Sequence, residues 1–312
     1  VALPAYSAPL ERLWHYAYLV FCALVLAFLI IPVLIIVPLS FNAEPYFSFT
    51  HKMLTMDPTG YSLRWYRSLL TFGMEAPDAP HNVQWWLDAW INATWVNAAK
   101  RSIVIAFWAT LLATGLGTLA ALGLSREEMP CRRLITALLI SPMIVPVVII
   151  ATGLLFFYSN PCAFIGLECG RLTSTTTGVV LAHAMLGTPF VIITVTATLV
   201  GFDQSLRRAA ASLGSAPTRT FFKVVLPLIL PGVISGALFA FATSFDEVVT
   251  VLFVGGPQQV TIPREMWSGI REEISPAILA VASILVFISI GFLAVLELLR
   301  RRAERLRLTL AS

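Results

Sequence analysis

Two adjacent carboxylates, Asp246 and Glu247, interrupt the apolar run FAFATSFDEVVTVLFV over residues 239–254. A charge within such a run costs about 2.5–3.5 kcal/mol on membrane-insertion scales, so it usually lines a polar cavity or meets a cation. An amine is the natural counterpart of a carboxylate, and Thr243, Ser244 and Thr250 add neutral hydrogen-bonding groups beside the pair. The chemistry this points to is binding and passage of a cationic solute rather than bond breaking. A structural reading competes with it on equal terms. Gly255-Gly256-Pro257 ends the run nearby, so Asp246 could instead cap a short helix or pair with Arg264 or Arg271.

Other chemistries find little support. ATP hydrolysis by a phosphate-binding loop needs a Gly-Lys-Ser/Thr run; the three lysines are Lys52, Lys100 and Lys223, and none follows a glycine. The four histidines, His15, His51, His81 and His183, share no helical spacing, and the cysteines form no Cys-x-x-Cys, so no metal centre is expected. His183 reads as a packed helix histidine bonded to a neighbour. No nucleophile-base pair stands at helical spacing and no Gly-x-Ser-x-Gly elbow is present, so no catalytic residue is assigned.

The segment 202–232, FDQSLRRAAASLGSAPTRTFFKVVLPLILPG, carries a different signal. Asp203 serves as N-cap for a helix over roughly 204–213, and Gly214 supplies the left-handed residue that ends it. A second helix follows with Ser215 or Ala216 at its N-cap and Pro217 in its first turn, and Phe221 and Phe222 form an apolar shoulder before Pro227. Leu206, Ala209, Ala210 and Leu213 recur at helical spacing, while Arg207, Arg208 and Ser212 lie on the other side. A face of small apolar residues admits close approach by a partner.

These features must be positioned by membrane helices. The chain of 312 residues is 58% hydrophobic and 12% charged, far below the roughly 25% charged residues of an average soluble domain, and its mean hydropathy is +0.83. Six apolar runs are long enough to span a bilayer: 17–40, 102–124, 134–158, 177–201, 226–254 and 277–299. The first is too long for a cleavable signal and lacks a small-x-small end. With both termini in the cytoplasm, the inner segments hold Arg12, Arg126, Arg132, Arg133, Arg207, Arg208, Arg219, Lys223 and the cluster Arg300, Arg301, Arg302, Arg305 and Arg307. The outer segments hold Lys52, Arg64, Arg67, Lys100, Arg101, Arg171, Arg264 and Arg271, a moderate bias in the expected direction. A net charge of +4 then reflects membrane lipid, and no nucleic acid is implied.

The expected organisation is an all-α polytopic membrane protein: a cytoplasmic N-terminus over 1–16, a membrane domain over 17–300 and a basic cytoplasmic tail over 301–312. Within the membrane domain, 41–100 is an external interfacial segment, aromatic through Tyr61, Trp65, Tyr66, Trp85, Trp86 and Trp90 and suited to partner contact or simple anchoring. Gly115-x-Gly117 and Gly232-x-x-x-Gly236 are expected at close helix contacts. Cys162 and Cys169 flank an external loop and are expected to form a disulfide in an oxidising compartment, with Cys22 and Cys131 reduced.

Ala209-Ala210-x-x-Leu213-Gly214, followed by Phe222, Leu226-Pro227 and Pro231-Gly232, resembles the cytoplasmic coupling loop of binding-protein-dependent ABC importer permeases. Arg208 departs from that pattern, in which the position is usually Glu. Leu63-x-Trp65-Tyr66, Leu116-Gly117-Thr118-Leu119-Ala120-Ala121, Pro142-x-x-Val145-Pro146, Ala182-His183, Gly201-Phe202-Asp203, Ser244-Phe245-Asp246-Glu247 and Thr261-x-Pro263 follow the order of permeases similar to the second permease subunit of spermidine/putrescine importers. The resemblance implies a six-span permease of the bacterial inner membrane whose loop over 202–225 seats in an ATPase subunit. Arg207, Arg208, Ala209, Ala210, Leu213, Gly214, Ser215, Phe221 and Phe222 would make that contact. It further implies a paralogous permease, a dimer of ATP-binding subunits holding ATP and Mg, and a periplasmic solute-binding protein as partners. No cofactor is expected in this chain. The solute implied is a polyamine, with 4-aminobutyrate, an opine or another small solute as the alternative. A non-transporting membrane anchor or sensor subunit is the alternative of another class.

Overall fold

A computed structural model describes every residue except 1–7, 127, 163–169, 202, 273–274 and 312. Cys169 and Phe202 of the sequence reading therefore lie outside the described residues. Along the chain run α1 (Pro9–Leu39), α2 (His51–Leu54), α3 (Arg64–Thr71), α4 (Val83–Asn92), α5 (Thr94–Leu124), α6 (Arg132–Ile144) and α7 (Val147–Ser159). They are followed by α8 (Thr176–Val200), α9 (Gln204–Ser212), α10 (Pro217–Thr220), α11 (Leu226–Asp246), α12 (Val249–Val254), α13 (Ile262–Glu272) and α14 (Ala277–Ala311). Extended pairing among the described residues is limited to an isolated antiparallel bridge between Asn42 and Tyr61.

Among the described residues, five helices are long and apolar enough to cross a membrane: α1, α5, α8, the continuous stretch Pro217–Asp246 and Ala277–Ala294 of α14. The pair α6 and α7, bent by 103°, makes a sixth if it is one broken span. Two of the expected runs are thus not single helices. The run 134–158 breaks because the ring of Pro146 crowds the residue before it, and Val145 is driven to ψ 135°. The run 226–254 stops at Asp246, where Glu247 turns extended at ψ 122°, and the helix restarts at Val249.

The chain forms two compact units, residues 1–71 with 273–291 and residues 72–272 with 292–312. In the first, Tyr66 explains the Trp-Tyr pair of α3. Its hydroxyl lies 2.7 Å from Ser40 Oγ, just past α1, and 2.7 Å from Ser283 Oγ in α14. Trp65 Nε1–H donates to Asn42 O at 2.8 Å. Asn42 is fully buried, and its amide donates to Tyr46 O and Ser48 O while its Oδ1 accepts from Glu44 N–H, so the loop after α1 is wrapped around one side chain.

In the second unit α5, α8 and α11 pack closely. A Cβ on Gly236 would stand 2.5 Å from Thr194 Oγ1 and 2.8 Å from Val191 Cα, so α11 meets α8 at a distance only glycine allows. Gly117 of α5 makes a similar approach to Val191, whereas Gly115, expected to share that role, faces open space. One apolar cluster joins Ala113, Val191, Val195, Ile229 and Ala240; another joins Ile105, Ala109, Val179, Ala182, Val251 and Val254.

Candidate functional site

The segment after α8 begins with Asp203, whose Oδ1 accepts from Ser205 N–H at 2.8 Å and caps α9. Hydrogen bonds from the Ser205 side chain and backbone hold this carboxyl below its ordinary range. The C-terminal end of α9 is closed by backbone alone. Ser215 N–H donates to Ala210 O at 3.0 Å and Gly214 N–H to Ala211 O at 2.9 Å, a Schellman pair that requires the left-handed conformation of Gly214, φ +77°. Ala216 then caps α10 with Pro217 in the first turn, where its missing N–H costs no bond. Thr220 Oγ1 donates to Ser215 Oγ at 3.0 Å, holding the turn from inside.

The second arm of this corner is not the separate helix expected from sequence. α10 passes into a π-turn, Phe221–Val225, in which Leu226 N–H bonds Phe221 O, and then directly into α11. Pro227 would leave the Lys223 carbonyl without its α-helical donor, and the widened turn lies at that position. The second arm of the corner is therefore continuous with a membrane-spanning helix. Its apolar side chains are uncovered: Leu213 is 88% exposed and Phe222 64%, with Leu206 and Ala209 also exposed. Arg207, Arg208 and Ser212 are exposed as well, and Ala210, Ser215 and Phe221 are half-buried.

The acidic pair at the other end of α11 is divided by the structure. Glu247 folds onto the next helix, its Oε1 accepting from Thr250 N–H at 2.9 Å. The side chain that bonds an amide in the first turn of the short helix is thus that of Glu247, not Asp246, while Val248 occupies the N-cap position. Asp246 is exposed and Thr243 half-buried. Ser244 is buried between helices, its Oγ 2.8 Å from Nδ1 of His183 in α8. His183 is itself only 1% exposed, so the two form an internal pair rather than part of an open surface.

Arg264 Nη1–H donates to Gly256 O at 2.7 Å, and burial lowers its guanidinium pKa against the opposing effect of Glu265. Gln259 Oε1 accepts from Gly256 N–H, and Ser174 N–H donates to Val254 O at 2.7 Å. Sequence reasoning missed Gln259 and Ser174, because their partners, Gly256 N–H and Thr176 Oγ1 for the first and Val254 O for the second, follow no motif. Cys162 is disulfide-bonded, and Cys22 and Cys131 are free. Among the described residues, no three His, Cys, Asp or Glu side chains converge as metal ligands would.

A chain of bilayer-length helices with an exposed, partly apolar helix corner between two of them in sequence has the architecture of a transporter membrane subunit. It belongs to the family of binding-protein-dependent transport system inner membrane components, whose family model matches residues 113–305. The spermidine/putrescine transport system permease protein PotC of Haemophilus influenzae is 29% identical over 282 residues, covering 90% of this chain and 95% of its own. The putrescine transport system permease protein PotI of Escherichia coli is 31% identical over 287 residues, with 90% of each chain covered. A crystal structure of a bacterial ABC transporter involved in import of the acidic polysaccharide alginate shares the fold, with TM-score 0.65 over 95% of this chain and 96% of that one at 12% identity.

Proposed function

We propose that this chain is a permease subunit of a polyamine importer, forming part of the pathway for a spermidine- or putrescine-like solute. The observation that carries this reading is the exposed α9–Gly214–α10 corner, continuous with span α11, in a chain related along nine-tenths of its length to polyamine permeases. The corner seats in an ATP-binding subunit, with Leu213 and Phe222 entering apolar contacts and Arg207 and Arg208 at their edge. ATP and Mg are held by a dimer of such subunits. A paralogous permease completes the pathway and a periplasmic binding protein delivers the solute. The N- and C-termini lie in the cytoplasm of a bacterial cell, and 41–100 lies outside.

Alternating access follows from the joint. Closure of the ATPase dimer displaces the corner, and because no flexible break separates α10 from α11, the span moves with it. Binding energy released in the partner thereby shifts the population of the span bundle between outward- and inward-open states. The exposed carboxylate of Asp246 is the acidic group free to attract an amine; Glu247 spends one oxygen on Thr250.

The test is uptake by cells lacking their own polyamine importers and expressing this chain with its partner subunits. Labelled putrescine or spermidine should accumulate, and Asp246→Asn should lower uptake at sub-saturating solute while assembly persists. Accumulation of 4-aminobutyrate or an opine instead, with no polyamine uptake, would overturn the substrate assignment. No ATP-dependent uptake of any of these solutes by an assembled complex would favour an anchor or sensor.

A further inference from the structure

The three tryptophans of α4 fall into two environments. Trp85 is buried, with Nε1–H donating to Pro77 O at 3.2 Å, and Ala89 one turn later is buried beside it. The opposite face is also apolar but uncovered. Val83, Trp86, Leu87, Trp90 and Ile91 recur at i, i+3, i+4, i+7 and i+8, and each is between 53% and 75% exposed. Gln84 borders this face, while Asp88 and Asn92 turn back toward the Trp85 side, where Asp88 accepts from Glu75 N–H, Ala76 N–H and Asn92 Nδ2.

We propose that this face of α4 lies in the bilayer, at the boundary between lipid headgroups and acyl chains, and anchors the end of span α5. Position selects lipid over a protein partner. Only Ala93 separates α4 from α5, so α4 is held at the height where that span begins. The 31 residues of α5 reach about 46 Å at 1.5 Å per residue, against a hydrocarbon core of about 30 Å, so part of the helix stands outside the core.

Lys100 and Arg101 are the charges in α5, and the rest of the helix is uncharged and predominantly apolar, placing the core boundary near this point. Trp90 sits at that height. Lys100 Nζ lies 4.6 Å from its ring centroid and also donates to Trp90 O, while Asn97 Nδ2 donates to Ile91 O at 2.7 Å. Side-chain chemistry agrees. Tryptophan and lysine are the residues that concentrate at this boundary, the indole spanning apolar and polar surroundings and the lysine stem reaching toward water. The outer face carries no ionised group to orient a soluble protein partner.

The assignment does not depend on which solute is carried. It can be tested in the transporter reconstituted into phosphatidylcholine nanodiscs, with Cys22→Ala and Cys131→Ser in this chain and a spin label introduced at Leu87→Cys, Ile91→Cys or Gln84→Cys. The complex without an introduced cysteine supplies the background signal. Labels at positions 87 and 91 should show an oxygen-to-nickel-chelate accessibility ratio severalfold above that at 84. Equal access of the chelate to all three positions would put the face in water and overturn the proposal. Shielding of 87 and 91 from both reagents would put it against protein and overturn it equally. A measurement free of cysteine changes uses brominated phosphatidylcholine. Replacing Trp86 and Trp90 together by Phe should reduce the lipid-quenched fraction of tryptophan fluorescence, and an unchanged fraction would count against lipid contact.

Discussion

The continuous helix Pro217–Asp246 is entered by a turn through Gly214 and left by a turn through Glu247 and Val248. The first turn is closed by backbone bonds, the Ser215 and Gly214 amides returning to Ala210 and Ala211, which leaves Leu213 and Phe222 uncovered. The second consumes side chains. Glu247 is folded onto Thr250, and Ser244 is paired with His183 inside the bundle. A corner whose bend is closed by its backbone leaves its apolar side chains uncovered for another molecule. A break satisfied by side chains is committed to its own neighbours. The same helix thus has an outward-facing joint at one end and an internal one at the other.

Damage to the two ends should therefore separate cleanly. The largest effect is expected from Gly214→Trp. A left-handed residue with a Cβ costs about 1–2 kcal/mol locally, and the indole would in addition block the close seat of the ATPase. Co-purification of the ATPase and uptake should both be lost while the chain still inserts, since no neighbour lies within 4 Å of a Cβ at this position. Retention of the complex would remove the corner from the coupling path.

Next comes Ser244→Ala, which strands the buried Nδ1 of His183 and should destabilise the bundle by about 1–3 kcal/mol. A lower Tm in detergent with normal ATPase association is the expected pattern. An unchanged Tm with altered uptake would mean that Ser244 meets solute after all.

A smaller effect distinguishes the two variants of Glu247. Glu247→Gln keeps an oxygen for Thr250 N–H and should leave stability nearly unchanged, whereas Glu247→Ala loses the cap and should cost about 1 kcal/mol, read as a lower Tm. Equal Tm values for the two would mean that the cap contributes nothing.

The smallest concerns Asp203. Its carboxyl is held below the usual range in the folded chain, so its cap stabilises above the unfolded value of about 3.9 and fades as pH falls through the lower folded value. Asp203→Asn can still cap α9. It should match the parent at neutral pH and lack this acid-dependent component of α9 stability, measured by amide exchange at Ser205 and Leu206.

The α9–Gly214–Pro217 corner was legible because its determinants are local. An N-cap acid, a glycine at the left-handed position and a proline in a first turn act within a few residues of themselves. The break at Val145-Pro146 was equally local, yet the hydrophobicity of 134–158 obscured it, since apolarity measures affinity for lipid and carries no record of backbone direction. The continuity of α10 with α11 was obscured by the reverse error. Pro227 marks a possible helix start, but a π-turn accommodates it within one helix.

The acidic pair shows where one-dimensional reading stops. Asp246 and Glu247 are neighbours of the same charge, and nothing in their order says which one turns toward Thr250. Ser244 was grouped with them by proximity, although helical rotation sends it to His183, 61 residues earlier in the chain. Trp85 and Trp86 are adjacent in the same way, and the 100° between them on α4 buries one and exposes the other. Composition and span length determined by themselves that this chain enters a membrane as helices, because the cost of burying charge and unpaired backbone in lipid depends only on residue type and run length. Which polar residues remain free to act was decided only by the tertiary structure, because a hydrogen-bond partner is a matter of distance in space, and helices far apart in sequence supply it.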